Sequence, residues 1–340
     1  MINKEMHLRE DLFSAKGGSA SGGDGPTMVP TRNGFGKGVV EAGRADVRVV
    51  VLSADLAEST RADAFQKEFP ERFVEVGVAE QNMATVAAGM AAFGKIPFIT
   101  SYATFSPGRN WEQIRTTAAI NNMPVKVCGM HAGLLTGPDG ATHQALEDIA
   151  LMRAMPNMIV ISPCDAEEGR RATLAAAKTG TPVYLRFGRD KTPVMTTPET
   201  PFEIGKAQVF WKSNNPKVAV FATGHLVHSA LLAARELEGK GIGTAVVNVH
   251  TIKPLDKDLI VSLARETGSV VTVEEHQIAG GLGGAIAELL AQECPTPIEF
   301  VGVQDKFGQS GEPKELLEAY GLGVSHIIEA IKKALARRGI

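Results

Sequence analysis

The stretch VEVGVAEQNM, residues 74–83, places one carboxylate, Glu80, at the head of a helix of mostly small residues, AEQNMATVAAGMAAF. A helix-head acid gains about 0.3–1 kcal/mol from the helix dipole when exposed. The apolar flanks instead predict burial, and burying an unpaired carboxylate costs far more than the dipole returns. Such an acid suits proton sharing with a bound base. The loop HAGLLTGPDGATHQALED (131–148) adds His131, Asp139 and His143 among glycines, directly after the strand-like VKVCGM. That places them at the carboxyl end of a strand, where open α/β sheets bind ligands. Zinc fits less well, because no Cys joins them and the spacing matches no familiar ligand set.

Two further groups extend this chemistry. SYATFSPGRNW (101–111) offers Tyr102 and Phe105 as faces for a planar ligand, whereas core packing accounts for Trp111. Arg32, Arg186 and Arg189, in TRNG and YLRFGRD, lie at element ends, where guanidinium groups clamp phosphate in bidentate fashion. Two glycine motifs are set aside. GGLGGA (280–285) lacks the full dinucleotide pattern, and GGDG (22–25) has no strand before it.

The elements that must position these groups alternate. VRVVVLS (47–53), FVEVG (73–77), IPFIT (96–100), VKVCGM (125–130), MIVISP (158–163) and VYLRF (183–187) read as strands, separated by helix-length segments. This pattern predicts a mostly parallel sheet covered on both faces. A Pro-rich linker at 191–216 leads to a second α/β unit with strands in KVAVFAT, GTAVVNV, SVVTVEE and IEFVGV. The expected domains are a flexible Gly/Ser-rich lead-in at 1–27, a first α/β domain at 28–190, the linker, and a smaller α/β domain at 217–340. A net charge of −3 gives no basic field for nucleic acid or anionic membrane. No apolar run approaches the roughly 18 residues of a membrane span. Cys128, Cys164 and Cys294 lie far apart, as in a reduced, cytoplasmic protein.

Together these segments resemble the thiamine diphosphate enzymes of the transketolase family. GVAEQNM is similar to the pyrimidine-domain motif, GPDGATHQALED to the GxDGxTHQ loop, and SADLAEST to the SADLxxS segment. VHTIKPLD and TVEEHQIAGGLGGAIAE are similar to the family's C-terminal domain, so the likeness covers roughly residues 30–335. The resemblance implies that Glu80, with a raised pKa, hydrogen-bonds the pyrimidine ring of thiamine diphosphate. It thereby favours the imino form that deprotonates the thiazolium carbon, giving the ylid nucleophile. It further implies that Tyr102 and Phe105 line the pyrimidine pocket and that Asp55 lies near the thiazolium across a subunit boundary. His131, Asp139 and His143 would bond the sugar hydroxyls and carbonyl, while Arg32, Ser59 and Arg189, favoured over Arg186, would hold the substrate phosphate.

One departure from the family matters. The GDG motif and downstream Asn that hold Mg²⁺ in its diphosphate-binding domain are absent, and the GDG at 23–25 is misplaced. The resemblance is therefore to the C-terminal subunit of a split transketolase. A separate N-terminal subunit would carry diphosphate and Mg²⁺ in an α₂β₂ assembly, with this chain inactive alone and pentose phosphates the default substrates. The alternatives are a 1-deoxyxylulose-5-phosphate synthase, a 2-oxo acid dehydrogenase β-chain, and a non-catalytic regulatory homologue.

Overall fold

The computed structural model describes residues 1–14 and 26–338. Its first strands are β1 (Met28–Pro30), β2 (Val49–Ser53), β3 (Phe73–Glu75), β4 (Ile96–Tyr102), β5 (Lys126–Met130), β6 (Ile159–Ile161), β7 (Val183–Arg186) and β8 (Lys191–Pro193). They continue as β9 (Gln208–Lys212), β10 (Val218–Ala222), β11 (Thr244–Asn248), β12 (Thr251–Lys253), β13 (Val270–Gln277) and β14 (Ile298–Val303). A seven-stranded sheet runs β12-β6-β7-β5-β4-β2-β3, and a five-stranded sheet runs β14-β13-β10-β11-β9. All ten strands expected from apolar runs are present, and they pair in parallel. Val49, Val51, Leu52, Phe98 and Val127 are fully buried, as strands covered on both faces require. Each such large side chain contributes about 1.5–3 kcal/mol by leaving water.

Four strands were not foreseen, and three of them bear on how the halves join. β8 pairs antiparallel with β1, and β9 pairs antiparallel with β11. The expected linker at 191–216 thus contributes a strand to each side. β12 belongs in sequence to the second unit, yet it pairs antiparallel with β6 at the edge of the first sheet. The two domains are sewn together, not merely tethered.

The lead-in expected at 1–27 also needs correction over its first part. The Met1 and Asn3 backbone amines donate to Lys212 and Phe210, and Phe13 meets Trp211 edge-on at 6.1 Å. Leu12 is buried there, so residues 1–14 dock on the second domain because they carry apolar side chains to bury. The Gly/Ser-rich remainder, including GGDG, lies outside the described residues.

Helix packing sets the site's geometry. The helix Thr31–Ala45 crosses the helix Ala166–Ala177 with Gly34 and Gly38 at the contact. A Cβ at either glycine would overlap the Ala166 or Arg170 backbone, so only glycine permits this approach. The helix Glu80–Ala92 buries Met83, Ala84, Ala87, Ala88 and Ala91, a stripe at helical spacing.

Candidate active site

Five loops meet at the carboxyl ends of the parallel strands. Ala54–Ser59 follows β2, the turn into Glu80 follows β3, Tyr102–Arg109 follows β4, His131–His143 follows β5, and Phe187–Arg189 follows β7. Arg32 joins them from the first turn of the helix Thr31–Ala45. This sheet edge is where open α/β folds bind ligands.

Glu80 is 3% exposed, as its flanks predict. It is not unpaired. Arg109 Nη1 donates to both carboxylate oxygens, at 3.0 and 3.2 Å, and Ser101 Oγ donates to one at 3.2 Å. The Asn110 side-chain amide bonds the Glu80 carbonyl at 3.0 Å. Arg109 was missed because one arginine in SPGRNW carries no pattern of its own. Its guanidinium carbon lies 4.0 Å from the centre of the Phe105 ring, and its side chain is about half exposed. A flat hydrogen-bond donor thus rests on Phe105 and bonds Glu80.

The aromatic groups cluster around this point. Tyr102 stacks on His131 with ring centres 4.0 Å apart, and on Phe105 at 5.8 Å. His143 meets Phe105 edge-on at 5.4 Å, and its Nδ1 pairs with the Thr142 hydroxyl at 2.9 Å. Trp111 instead donates to the Leu151 carbonyl and packs against the core, as its position suggests.

Cationic groups line the other side. Arg32 Nη1 donates to the Ser59 carbonyl at 2.7 Å and to His131 Nε2 at 2.5 Å. His131 is 2% exposed; burial first, then Arg32 and Arg189, push its pKa down to about 3. It is therefore a neutral imidazole that accepts from Arg32, with the proton on Nδ1. That Nδ1 and Arg32 Nε are buried and have no hydrogen-bond partner in the protein. Arg189 donates to the Thr136 carbonyl at 2.7 Å and lies 3.7 Å from Asp139. Asp55 is exposed, and its backbone amide donates to Glu75 at 2.8 Å. Arg61, also unforeseen, lies close enough to Arg32 to lower its pKa, after burial.

Arg186 does not join this group. It is buried against Asp148 at 2.8 Å and donates to the Glu275 carbonyl at 2.9 Å, while Tyr184 donates to Asp148 at 2.6 Å. Burial would raise the Asp148 carboxyl, but Arg186 and His276 outweigh it and hold Asp148 below the usual carboxylate range. The glycine loop at 280–285 is also taken internally. Glu274 accepts from the Leu282 and Gly283 amides, at 2.7 and 2.8 Å.

An α/β sheet edge carrying a buried acid, flat aromatic faces and a cationic rim is suited to hold a flat, hydrogen-bonding group beside an anionic one. Comparison makes the class specific. Residues 27–195 match the model of the transketolase pyrimidine-binding domain, and residues 205–327 match that of the transketolase C-terminal domain. The chain belongs to the transketolase family. It is 42% identical to a transketolase C-terminal section from Methanocaldococcus jannaschii, over 90% of this chain and 96% of that one. It is 39% identical to the 6-deoxy-6-sulfo-D-fructose transketolase subunit SqwH of Clostridium sp. (strain MSTE9), over 88% and 92%. The structure is similar to that of a split-gene transketolase in the form of an inactive β4 tetramer (TM-score 0.84, 45% identity, 91% of this chain and 99% of that one). By contrast, it spans about half the length of mammalian relatives such as a transketolase-like protein of Mus musculus, 39% identical over 91% of this chain and 49% of that protein.

The family uses thiamine diphosphate, and the donor set here fits one end of it. The Arg109 guanidinium already shows that Glu80 and Phe105 accept a flat, hydrogen-bonding group between them. Among the described residues, no group of three or more His, Cys, Asp or Glu side chains gathers for a metal ion. No described helix is long and apolar enough to cross a membrane.

Proposed function

We propose that this chain is the smaller, C-terminal subunit of a two-chain transketolase, transferring a two-carbon ketol unit from a phosphorylated ketose to an aldose. The observation that carries this is the Glu80 site. A nearly sealed carboxylate has an exchangeable, half-exposed partner and lies beside an aromatic face and a cationic rim. Thiamine diphosphate, when bound, supplies the electron sink for breaking and making the carbon–carbon bond.

This chain's residues have distinct parts. Glu80 would hold a proton at the pyrimidine ring nitrogen, with the half-exposed Arg109 as the partner the ring would replace. Phe105 and Tyr102 would hold the ring by their faces, and Asp55 would lie on the thiazolium side across the subunit boundary. His131, as a neutral imidazole, and His143 hydrogen-bond the sugar hydroxyls and carbonyl with Asp139. Arg32, Ser59 and Arg189 hold the anionic end of the sugar through charge-assisted bonds. A separate N-terminal subunit holds the diphosphate and Mg²⁺, in an α₂β₂ assembly. The likeness to one split-gene transketolase and to the C-terminal section of another supports this division.

A second reading concerns the substrate's charged end. The likeness to a 6-deoxy-6-sulfo-D-fructose transketolase subunit makes a sulfonated ketose a donor to test beside the phosphorylated one. Both present an oxyanion to the same arginines. Purification of the chain from its own cells tests the whole proposal. A companion chain carrying the diphosphate domain, thiamine diphosphate in the complex and ketol transfer from either donor are expected. A chain that emerges alone and cofactor-free refutes the two-chain enzyme.

A further inference from the structure

The loop from His131 to His143 is held in part by the second domain. Gly133, Gly137 and Gly140 all have positive φ, at 85°, 71° and 76°, and Gly137 kinks the short 3₁₀ helix Leu134–Asp139 at the middle of the loop. Its anchor is Glu275, at the end of β13 and 3% exposed. Glu275 Oε1 accepts the Leu135 amide at 2.7 Å, and Oε2 pairs with His225 Nε2 at 3.0 Å. Gly133 lies so close to this carboxylate that a Cβ there would overlap it. Farther along, Gln144 donates to the Gln309 carbonyl at 3.0 Å, and Gly137 lies against Pro313.

The next residue carries this restraint into the site. The Thr136 hydroxyl donates to the His131 carbonyl at 2.5 Å, and the Thr136 carbonyl accepts from Arg189. Fixing Leu135 therefore fixes Thr136, and through it the backbone of His131 and the side chain of Arg189. We infer that Glu275 is a positioning residue, holding the substrate-binding loop of the first domain from the second. Glu275 also meets the first domain at Arg186, which is paired with Asp148 in its own domain, donates to the Glu275 carbonyl at 2.9 Å and lies 3.9 Å from the Glu275 carboxylate. The backbone contact to Arg186 and the His276 Nε2 bond to the Ala150 amide at 3.3 Å do not use the Glu275 side chain. Glu275 alone among these carboxylates reaches the loop's backbone amide. The inference rests on the proposed reading of His131, Asp139 and His143 as substrate ligands.

Two variants of the full chain, assembled with its diphosphate-domain partner, test it. Glu275→Ala removes both acceptors, whereas Glu275→Gln keeps the shape and one of them. Amide exchange at residues 133–143 and steady-state kinetics are read together. Glu275→Ala is expected to speed exchange at Leu135 and Thr136 and to raise the donor KM about tenfold. Its half-saturation by thiamine diphosphate should stay within about twofold of the parent, because the Glu80 carboxylate is held by Arg109 and Ser101, outside this loop. Glu275→Gln should fall between, and it decides alone if the Ala variant does not accumulate. Exchange at the parent's rate overturns the inference, as does faster exchange with an unchanged donor KM. A parent complex without ketol transfer refutes the proposed reaction instead, and the exchange measurement then still decides whether Glu275 holds the loop.

Discussion

The strand-end edge of the first domain and the seam between the domains are both built from buried charge, but they are finished differently. At the seam, Asp148, Arg186 and Tyr184 satisfy one another, and Glu275 closes on the Leu135 amide. At the strand-end edge, Glu80 is paired with a half-exposed arginine, and His131 Nδ1 and Arg32 Nε have no partner. Buried polar groups that satisfy one another stabilise or orient; those left partly open await something else. The seam has orphaned atoms too, at Asn248 Oδ1 and His250 Nε2, so what sets the strand-end edge apart is an orphaned group beside a carboxylate whose partner is half exposed.

Glu80→Gln should break the open side of this comparison. It keeps the volume and loses the proton-holding carboxylate, so ketol transfer by the assembled enzyme should fall by about 10²–10⁴-fold. Assembly measured by light scattering should be unchanged. An active Glu80→Gln complex would sink the proposed role. Asp148→Ala breaks the closed side. It leaves the buried Arg186 guanidinium with only the more distant Glu275 carboxylate, at 3.9 Å, and the Tyr184 hydroxyl unpaired, a loss of about 3–5 kcal/mol of stability. Denaturant unfolding measures it, and a loss below about 1 kcal/mol would show that the seam relaxes around an orphaned charge.

How much of this was legible in the sequence follows the same division. The ten parallel strands could be read because runs such as VVVLS are buried on both faces. Glu80, Phe105 and the 131–143 loop could be singled out because their types are unusual at strand ends. Strands β8, β9 and β12 could not, since they are antiparallel edges whose partners lie in other domains or across the Pro-rich stretch. TIK in β12 reads as part of the second unit and gives no sign that it completes the first sheet. Arg186 and Arg189 are three residues apart in one segment; the likeness to the family favours Arg189, and the fold supplies the reason, since Arg186 is buried against Asp148 at the seam. Glu275 carries a likeness to the family in TVEEHQ, but nothing local says which loop it holds.

The smallest expected effect sharpens the closed side. Glu168, at the seam, accepts from the Asn248 amide at 2.7 Å and from the Cys164 backbone amide at 2.6 Å. Burial first, then Asp165, raise its pKa to about 7 from an ordinary 4.5. A group whose pKa rises on folding contributes stability that is fully present below the unfolded value. That contribution is lost as pH rises through the folded value, here between about pH 4.5 and 7. Glu168→Gln does not titrate, so it should gain on the parent by about 1–3 kcal/mol between pH 5 and pH 8. Burial lowers His131 and His250 to about 3, which works in the opposite direction, costing stability as pH falls below about 6.5. Both histidines remain in the variant, so the difference between the two unfolding curves isolates Glu168. A pH-independent difference would mean that Glu168 stays ionised at the seam, held by Asn248 and the Cys164 amide against its burial.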